Sequence, residues 1–231
     1  MIRKSLAVHW VGSWSLLCAV CAFAGNLASA ADAYDAAVAH AGRSDADLKR
    51  DPLDHPAEVL RLAGIKPGMR VADVLAGDGY YSELASYVVG PKGKVLLINN
   101  AAFDKWSEPS LDARLKSDRL PNIEHETLDL NHLNLAPASV DAVFLVKVYH
   151  DLYWVDPEGV WPKFDTAAVL DQLVRALKPA GVLLLVDHSA KAGSGNTAAS
   201  GLHRIEESYA LKDFESRGLK VLEGKIGRAH V

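Results

Sequence analysis

The sequence predicts an α/β fold in which helices cover both faces of a mostly parallel sheet. Near-continuous apolar runs, such as VADVL and VLLLV, alternate along the chain with helical patterns. Strands that are buried on both faces have this composition. A glycine turn, AGDGYY at residues 76–81, follows the first of these runs and precedes a helical stretch. In such folds ligands bind beyond the carboxyl ends of the strands, so the residues there are the candidates for function.

The first half of the domain contains three predicted strands. HPAEVLRLAGI, residues 55–65, predicts a helix because its apolar residues cluster and Pro56 suits a first helical position. RVADVLA follows the KPGM turn and predicts a buried strand, and a helix is expected at about 81–89. KVLLINN predicts the second strand. Residues 108–118 have a helical pattern, and NIEHETLDL predicts a weaker third strand.

The second half repeats this alternation. SVDAVFLVKVYH predicts a long fourth strand that ends in polar residues, and the amphipathic segment 166–177 predicts a helix. GVLLLVDHS predicts the fifth strand, and KAGSGNTAASG is expected to be a flexible loop. A helix at 206–217 and the beginning of a sixth strand at LKVLE complete the pattern.

The first thirty residues have the pattern of a secretory signal peptide. A basic MIRK start precedes an apolar segment and an A-x-A site that ends at Ala30. We therefore expect export to the periplasm or beyond, with no stable membrane anchor after cleavage; an uncleaved transmembrane anchor is the alternative. Cys18 and Cys21 are both in this segment, so the mature chain has no disulfide and no thiolate site.

The remaining boundaries are also predicted from composition. Residues 31–52 are polar and rich in alanine and aspartate, and we expect a linker before a domain at 53–225. The final residues, 226–231, read IGRAHV, which one reading frame of a common sequencing adapter encodes. We expect them to be an artefact and the C-terminal strand of the fold to be truncated, which exposes a sheet edge. A natural short tail is the alternative.

The charge of the chain argues against nucleic acid as a partner. The formal net charge is −4, and it becomes −6 without residues 1–30, which carry Arg3 and Lys4 but no acidic residue. Binding to phosphate backbones requires a basic face. A small-molecule substrate is the expected partner, and the sequence does not indicate an oligomeric state.

Several stretches, in order, resemble the class I S-adenosylmethionine-dependent methyltransferases: VADVLAGDGYY, GKVLLINN, the acid of TLDL, and LKPAGVLLLVDH. GDGYY, YHDL, the Asp-His pair at 187–188 and LHRI at 202–205 more narrowly resemble a group of exported predicted methyltransferases. The resemblance spans about residues 45–223. It implies a Rossmann-like class I methyltransferase fold whose sheet ends in an antiparallel hairpin. It also implies S-adenosylmethionine as the cofactor, with an unidentified methyl acceptor.

The resemblance places the cofactor at the glycine turn. Glycines let backbone amides approach a ligand, and the following helix start offers free N–H groups to a carboxylate. Leu75 stands where the family has its first glycine, and Asn99 stands where an acid usually holds the ribose hydroxyls. The predicted cofactor-binding residues are Asp73, Ala76, Gly77, Gly79, Tyr80, Asn99 and Asp129.

Polar residues after the fourth and fifth strands are the predicted acceptor site. His150 and then His188 are the candidates to take a proton from the acceptor, because a histidine titrates near ambient pH. Arg204 is predicted to hold an acidic group of the acceptor. Trp154 is expected to line the pocket with Tyr80. No metal site is assigned.

Three other functions are compatible with parts of the pattern. The histidines at 150, 188 and 203 suit a metal-dependent hydrolase, which bound metal in the purified protein would favour. A dinucleotide-binding oxidoreductase needs a third glycine at a spacing that this turn lacks. A non-catalytic ligand-binding domain on the same fold also remains open. An unchanged activity in Gly77→Ala would favour it.

Overall fold

A computed structural model describes residues 4–10 and 28–226 of the chain. Seven strands form one sheet with the order β4-β3-β2-β5-β6-β1-β7, and every paired neighbour is parallel. This confirms the predicted parallel α/β fold. The strands are β1 Ser5–Trp10, β2 Arg70–Val74, β3 Lys94–Asn99, β4 Ile123–Thr127, β5 Val140–Val146, β6 Leu177–Asp187 and β7 Lys220–Ile226.

Helices pack on both faces of this sheet and enclose two apolar clusters. The side chains of a strand alternate between its two faces, so Val71 belongs to one cluster and Ala72 to the other. The helices are α1 Ala28–Val38, α2 Asp45–Asp54, α3 Pro56–Ala63, α4 Tyr80–Val89, α5 Ala101–Leu115, α6 Thr166–Ala176, α7 Ala199–Leu202 and α8 Glu207–Ser216.

The N-terminal strand β1 lies inside the sheet, between β6 and β7. Ala7 pairs with Leu184 of β6 and with Glu223 of β7. Among the described residues, β7 is parallel to β1, and the antiparallel hairpin implied by the resemblance is not formed. One edge of β6 pairs with β5. Its other edge pairs with residues 5–10 of β1, which satisfy the backbone groups there. The two edge strands of the sheet are β4 and β7.

The structure describes only part of each terminus. Most of the predicted signal peptide, residues 11–27, and the last residues, 227–231, lie outside the described residues. Of the helices described, none combines the length and the apolar composition needed to cross a membrane.

The structure differs from the linker expected at residues 31–52. This segment contains most of α1 and all but the last two residues of α2. The Nη1 and Nη2 atoms of Arg43 each donate to one carboxylate oxygen of Asp51 at 2.6 Å. The Tyr34 hydroxyl donates to the carbonyl of Ile65 at 2.8 Å. Because α2 is held mainly by ionic contacts, it lacks the apolar periodicity that predicts a packed helix.

Candidate functional site

The glycine turn keeps the backbone geometry of a cofactor loop despite its missing glycine. Leu75 has φ 54°, Gly77 has φ 59° and Gly79 has φ 81°. A leucine in this left-handed region costs about 1–2 kcal/mol. The Leu75 side chain is buried in the sheet core, and burying it returns about 1.5–3 kcal/mol. The family's first glycine is therefore replaced by a residue whose burial offsets the backbone strain.

Asn99 braces this turn from the end of β3. Its side-chain oxygen accepts from the Gly77 N–H, and its amide nitrogen donates to the Gly77 carbonyl, both at 2.9 Å. The same nitrogen donates to a carboxylate oxygen of Asp104 at 2.8 Å. Asn99 has no exposed surface. These contacts give Asn99 a structural role in the turn; its predicted contact with a ribose stays a prediction.

The next residue, Asn100, has a side-chain amide whose oxygen is paired and whose nitrogen is not. Its side-chain oxygen accepts from the Phe103 N–H at 2.7 Å and so caps the start of α5. The side-chain nitrogen is buried, and within the described chain it has no hydrogen-bond partner. Buried polar groups are rarely left unpaired, and one at this position suits a ligand that accepts a hydrogen bond. The lack of a side chain at Gly77 and this donor fit a cofactor at the turn.

An arginine from α5 fixes the other side of the turn. The Arg114 Nε donates to the carbonyl of Asp78 at 2.5 Å, and its guanidinium contacts the Asp47 carboxylate at 2.8 and 3.0 Å. It also pairs with the fully buried Glu83. Burial would lower the pKa of Arg114, but the carboxylates of Asp47, Asp78 and Glu83 outweigh it and raise the pKa. The turn, α2 and α4 are thus joined through one buried guanidinium.

The remaining predicted cofactor residues surround the turn in different ways. Asp73 is buried and accepts from the Ser82 hydroxyl at 2.7 Å; burial raises its pKa to about 7. The Tyr80 hydroxyl donates to Asp51 at 2.5 Å, so this ring packs under α2. Asp129 follows β4 and is largely exposed. The N–H of Gly79 donates to the carbonyl of Ala76. The cofactor contacts of Asp73, Ala76, Gly79, Tyr80 and Asp129 stay predictions.

An aromatic cavity of about 460 Å³ lies beside the turn. A Cβ built on Gly77 would lie 3.6 Å from the Phe103 ring and 3.8 Å from the Trp106 ring, so these two rings lie next to both the turn and the cavity. The cavity is lined by Ala102, Phe103, Trp106, Asp151, Trp154, Asp156, Val160, Trp161 and His203. Trp154, which the sequence predicts as a pocket residue, lines this cavity, whereas the predicted Tyr80 is not among its lining residues.

His150 is held between two carboxylates behind this cavity. Its Nδ1 lies 2.6 Å from Asp187 Oδ1, and its main-chain N–H donates to Asp187 Oδ2 at 2.9 Å. Its Nε2 lies 3.2 Å from Asp151 Oδ1. Burial alone would lower the pKa of His150, but the two carboxylates outweigh it and raise the pKa to about 9. In this arrangement His150 holds a proton at neutral pH.

The other predicted polar residues gather at the same edge but not on the same cavity. The His188 ring centre is 6.5 Å from that of His150, and burial lowers the pKa of His188. Arg204 donates to the carbonyl of Ser189 at 3.1 Å. His203 lies 3.4 Å, Nδ1 to Oδ1, from Asp151. The cavity thus contacts Asp151 and His203, whereas His150, His188 and Arg204 are absent from its lining.

Comparison with known proteins agrees with this geometry. Residues 72–185 match the family model described as a methyltransferase domain. A ubiquinone/menaquinone biosynthesis C-methyltransferase of Shewanella piezotolerans is 26% identical over 132 residues, which are 56% of this chain and 47% of that protein. The chain therefore spans about half the length of the curated relatives it matches.

Solved structures share the fold. An S-adenosylmethionine-dependent methyltransferase from Aquifex aeolicus matches with a TM-score of 0.54 and 24% identity. The match covers 77% of this chain and 90% of that one. The chain has the fold of the class I S-adenosylmethionine-dependent methyltransferases. The [4+2]-cyclase SpnF also matches, with a TM-score of 0.57 and 16% identity, over 74% of this chain and 60% of that one. This fold therefore also occurs in a protein that is named for another reaction. The comparisons do not favour the metal-dependent hydrolase.

Proposed function

We propose that this methyltransferase domain transfers a methyl group from S-adenosylmethionine to a small, planar, mostly apolar acceptor. One observation carries the proposal: an aromatic cavity large enough for a small molecule lies beside the glycine turn. Phe103 and Trp106 lie next to both, which brings an acceptor in the cavity close to a cofactor at the turn. Methyl transfer depends mainly on such alignment in a pocket that excludes water.

The cofactor is held, in this proposal, by groups of the turn and of the end of β3. S-adenosylmethionine, when bound, supplies a methyl group on a positively charged sulfur. Gly77 leaves the backbone open to it, and the Asn100 side-chain nitrogen donates a hydrogen bond to one of its oxygens or ring nitrogens. The faces of Phe103 and Trp106 favour a nearby cation. Asn99 supports these contacts by fixing the turn.

The cavity wall defines the class of acceptor. Phe103, Trp106, Trp154 and Trp161 offer flat apolar faces, which suit a planar ring system. The curated relatives are named as C-methyltransferases of ubiquinone and menaquinone biosynthesis, which also act in the chemistry of ring compounds. We propose an aromatic acceptor that carries at least one oxygen substituent.

The proton-transfer roles are divided between the buried His150 and the half-buried His188 in this proposal. His150 keeps its proton at neutral pH because two carboxylates surround it. His188 is the better proton acceptor, because burial lowers its pKa and leaves its imidazole neutral. Arg204, one residue from the cavity-lining His203, stays the candidate to hold an acidic group of the acceptor.

Calorimetric titration of S-adenosylmethionine and of its demethylated product tests the cofactor site first. We expect binding in the micromolar range and a loss of at least about tenfold in Gly77→Ala, in which a side chain enters the open turn. Gly64→Ala is the matched control, because Gly64 has a similar φ of 62° at the end of α3 and no atom within 4 Å of its built Cβ. Asn100→Ser keeps the helix cap but removes the amide donor, and should also weaken binding.

The titration has a result that overturns the proposal. A folded protein that binds neither compound up to millimolar concentration does not use this cofactor, and a non-catalytic ligand-binding role would then be favoured. With binding established, hydroxylated aromatic compounds are incubated with the enzyme and the cofactor, and mass spectrometry identifies the methylated product. Trp154→Ala, which opens the cavity wall but leaves the turn unchanged, should reduce product formation more than cofactor binding.

We also propose that the protein is exported and that residues 1–30 are removed. The basic, apolar and small-residue segments of this stretch support the proposal. Removal would also take β1 out of the sheet, where it pairs with both β6 and β7. N-terminal sequencing of the protein from periplasmic and cytoplasmic fractions tests this: a periplasmic chain that begins at Ala31 is expected, and a cytoplasmic chain that keeps residues 1–10 contradicts it.

A further inference from the structure

A cluster of three possible metal ligands lies at the wall of the aromatic cavity. His150 Nε2 is 3.2 Å from Asp151 Oδ1, and His203 Nδ1 is 3.4 Å from the same oxygen. One ligand atom from each of the three residues lies within 4.8 Å of the other two. Two imidazoles thus converge on one carboxylate oxygen from two separate segments of the chain, one after β5 and one at the end of α7.

These separations match those around a bound ion. Two ligand atoms that are each about 2.1 Å from a metal lie about 3.0 Å apart at a right angle and about 3.4 Å apart at a tetrahedral angle. The two measured distances, 3.2 and 3.4 Å, fall in this interval. His203 is about half exposed, with a side-chain exposure of 54%, so its ring can adjust without disturbing the core.

The buried Asp187 orients the first ligand. It accepts from the main-chain N–H of His150 and contacts Nδ1 of the ring, so Nε2 is the nitrogen that is directed at Asp151. Metal-binding histidines usually have such a carboxylate on their other ring nitrogen, where it fixes the orientation of the ring. Asp187 is fully buried, so this contact is built into the fold.

The charges around the cluster also favour a cation. Asp151 and Asp187 contribute two negative charges, and within the described part of the chain neither of them forms an ion pair with an arginine or lysine. Lys147, which lies close in sequence, pairs with Asp54 instead. A bound ion would replace the proton on Nε2 of His150, and imidazoles with one carboxylate are ligands that suit divalent transition metals.

We propose that His150, Asp151 and His203 bind a divalent transition-metal ion. Asp151 and His203 line the cavity, so coordination positions not filled by protein face the acceptor. The ion binds and orients an oxygen substituent of that acceptor, as open metal sites do. This role of the ion rests on the proposed methyl transfer, whereas binding of the ion does not. The proposal thereby revises the sequence-based assignment, which named no metal site.

Cobalt provides the first test. Full-length, tag-free protein is treated with a chelator and titrated with Co²⁺, whose visible absorption reports nitrogen and oxygen ligands, and Zn²⁺ binding is measured by calorimetry. We expect one ion per chain. His203→Ala removes an exposed ligand with little risk to folding and should weaken binding at least about tenfold. Asp187→Asn should weaken it by about 10- to 100-fold.

His132→Ala is the matched control. His132 forms an exposed pair with Asp129 at 2.9 Å, and no third possible ligand joins that pair among the described residues, so metal affinity should not change. Absence of a stoichiometric Co²⁺ or Zn²⁺ complex, or equal affinity in His203→Ala, overturns the proposal. S-adenosylmethionine is titrated into the same metal-free preparation. Retained cofactor binding without metal binding refutes the metal site alone and leaves the proposed methyl transfer intact.

Discussion

Replacing Asn99 by aspartate separates two roles for the residue at the end of β3. The resemblance to methyltransferases places an acid here, and an acid would strengthen a ribose contact. The structure instead makes the Asn99 amide the brace of the glycine turn. We therefore expect Asn99→Asp to destabilise the protein and not to tighten cofactor binding.

The size of the loss follows from the contacts of the amide nitrogen. It donates to the Gly77 carbonyl at 2.9 Å and to the Asp104 carboxylate at 2.8 Å. Leaving the buried Gly77 carbonyl unpaired costs about 1–3 kcal/mol of unfolding free energy, and the new carboxylate adds repulsion from Asp104, which keeps its contacts with His125 and Thr127. Burial and this repulsion raise the pKa of the introduced carboxyl. The loss should therefore be larger at pH 8, where the group is ionised, than at pH 5.

Urea unfolding followed by circular dichroism at both pH values measures the loss. Asn122→Asp is the control, because the Asn122 amide also donates to two carbonyls, those of Ser86 and Gly90, at 2.9 and 3.0 Å. It has no carboxylate partner in those contacts, so its loss should be smaller. A stability within about 1 kcal/mol of wild type for Asn99→Asp, together with tighter S-adenosylmethionine binding, would refute the bracing role.

Three further perturbations test the fold around the site. In Asp73→Asn the folded state loses a carboxyl with a pKa of about 7. The stability that wild type owes to its raised pKa is complete below about pH 4 and is lost as the pH rises through 7, so the mutant should gain roughly 3 kcal/mol relative to wild type between pH 5 and 8 in urea unfolding. Arg114→Leu removes the guanidinium that pairs with the buried Asp47 carboxylate, while Glu83 keeps Arg119, and it should cost about 3–5 kcal/mol; the exposed Lys116→Leu should cost under about 0.5. Deletion of residues 1–30 removes β1 and should lower the melting temperature and expose β7 to proteolysis, compared with deletion of residues 1–3.

The strands that carry the site could be predicted because they are buried on both faces. Their apolar runs are nearly continuous, and the parallel arrangement then places the residues after β2, β3, β5 and β6 at one edge. This arrangement predicts that His150, after β5, and Asp187, at the end of β6, lie close to each other, as they do. Helix α2 was missed because charged contacts hold it, and these leave no apolar period in the sequence. The start of α5 was placed late because its cap is Asn100, which reads as the end of a strand.

The aromatic cavity was the least predictable part. Trp106 is 74% exposed and lies on a helix of mixed composition, so nothing in the sequence separates it from a surface residue. Trp161 is mostly buried, and it also lines the cavity. A usable signal was the spacing of Phe103 and Trp106, three residues apart directly after the cap of α5. Such a pair shares one face of a helix at the carboxyl edge of the sheet.

The two departures from the family's motif have a common physical explanation. A residue at a buried turn is constrained by every group that it contacts, and not only by a ligand. Leu75 keeps the left-handed backbone because its side chain fills the core, and Asn99 stands in place of an acid because it must donate to Asp104. A carboxylate at position 99 would suit a ribose only if Asp104 were also changed. Asn99→Asp combined with Asp104→Asn should therefore recover part of the stability that Asn99→Asp loses, by a coupling of about 0.5–3 kcal/mol. Additive losses in that double mutant would show that the two side chains do not constrain each other.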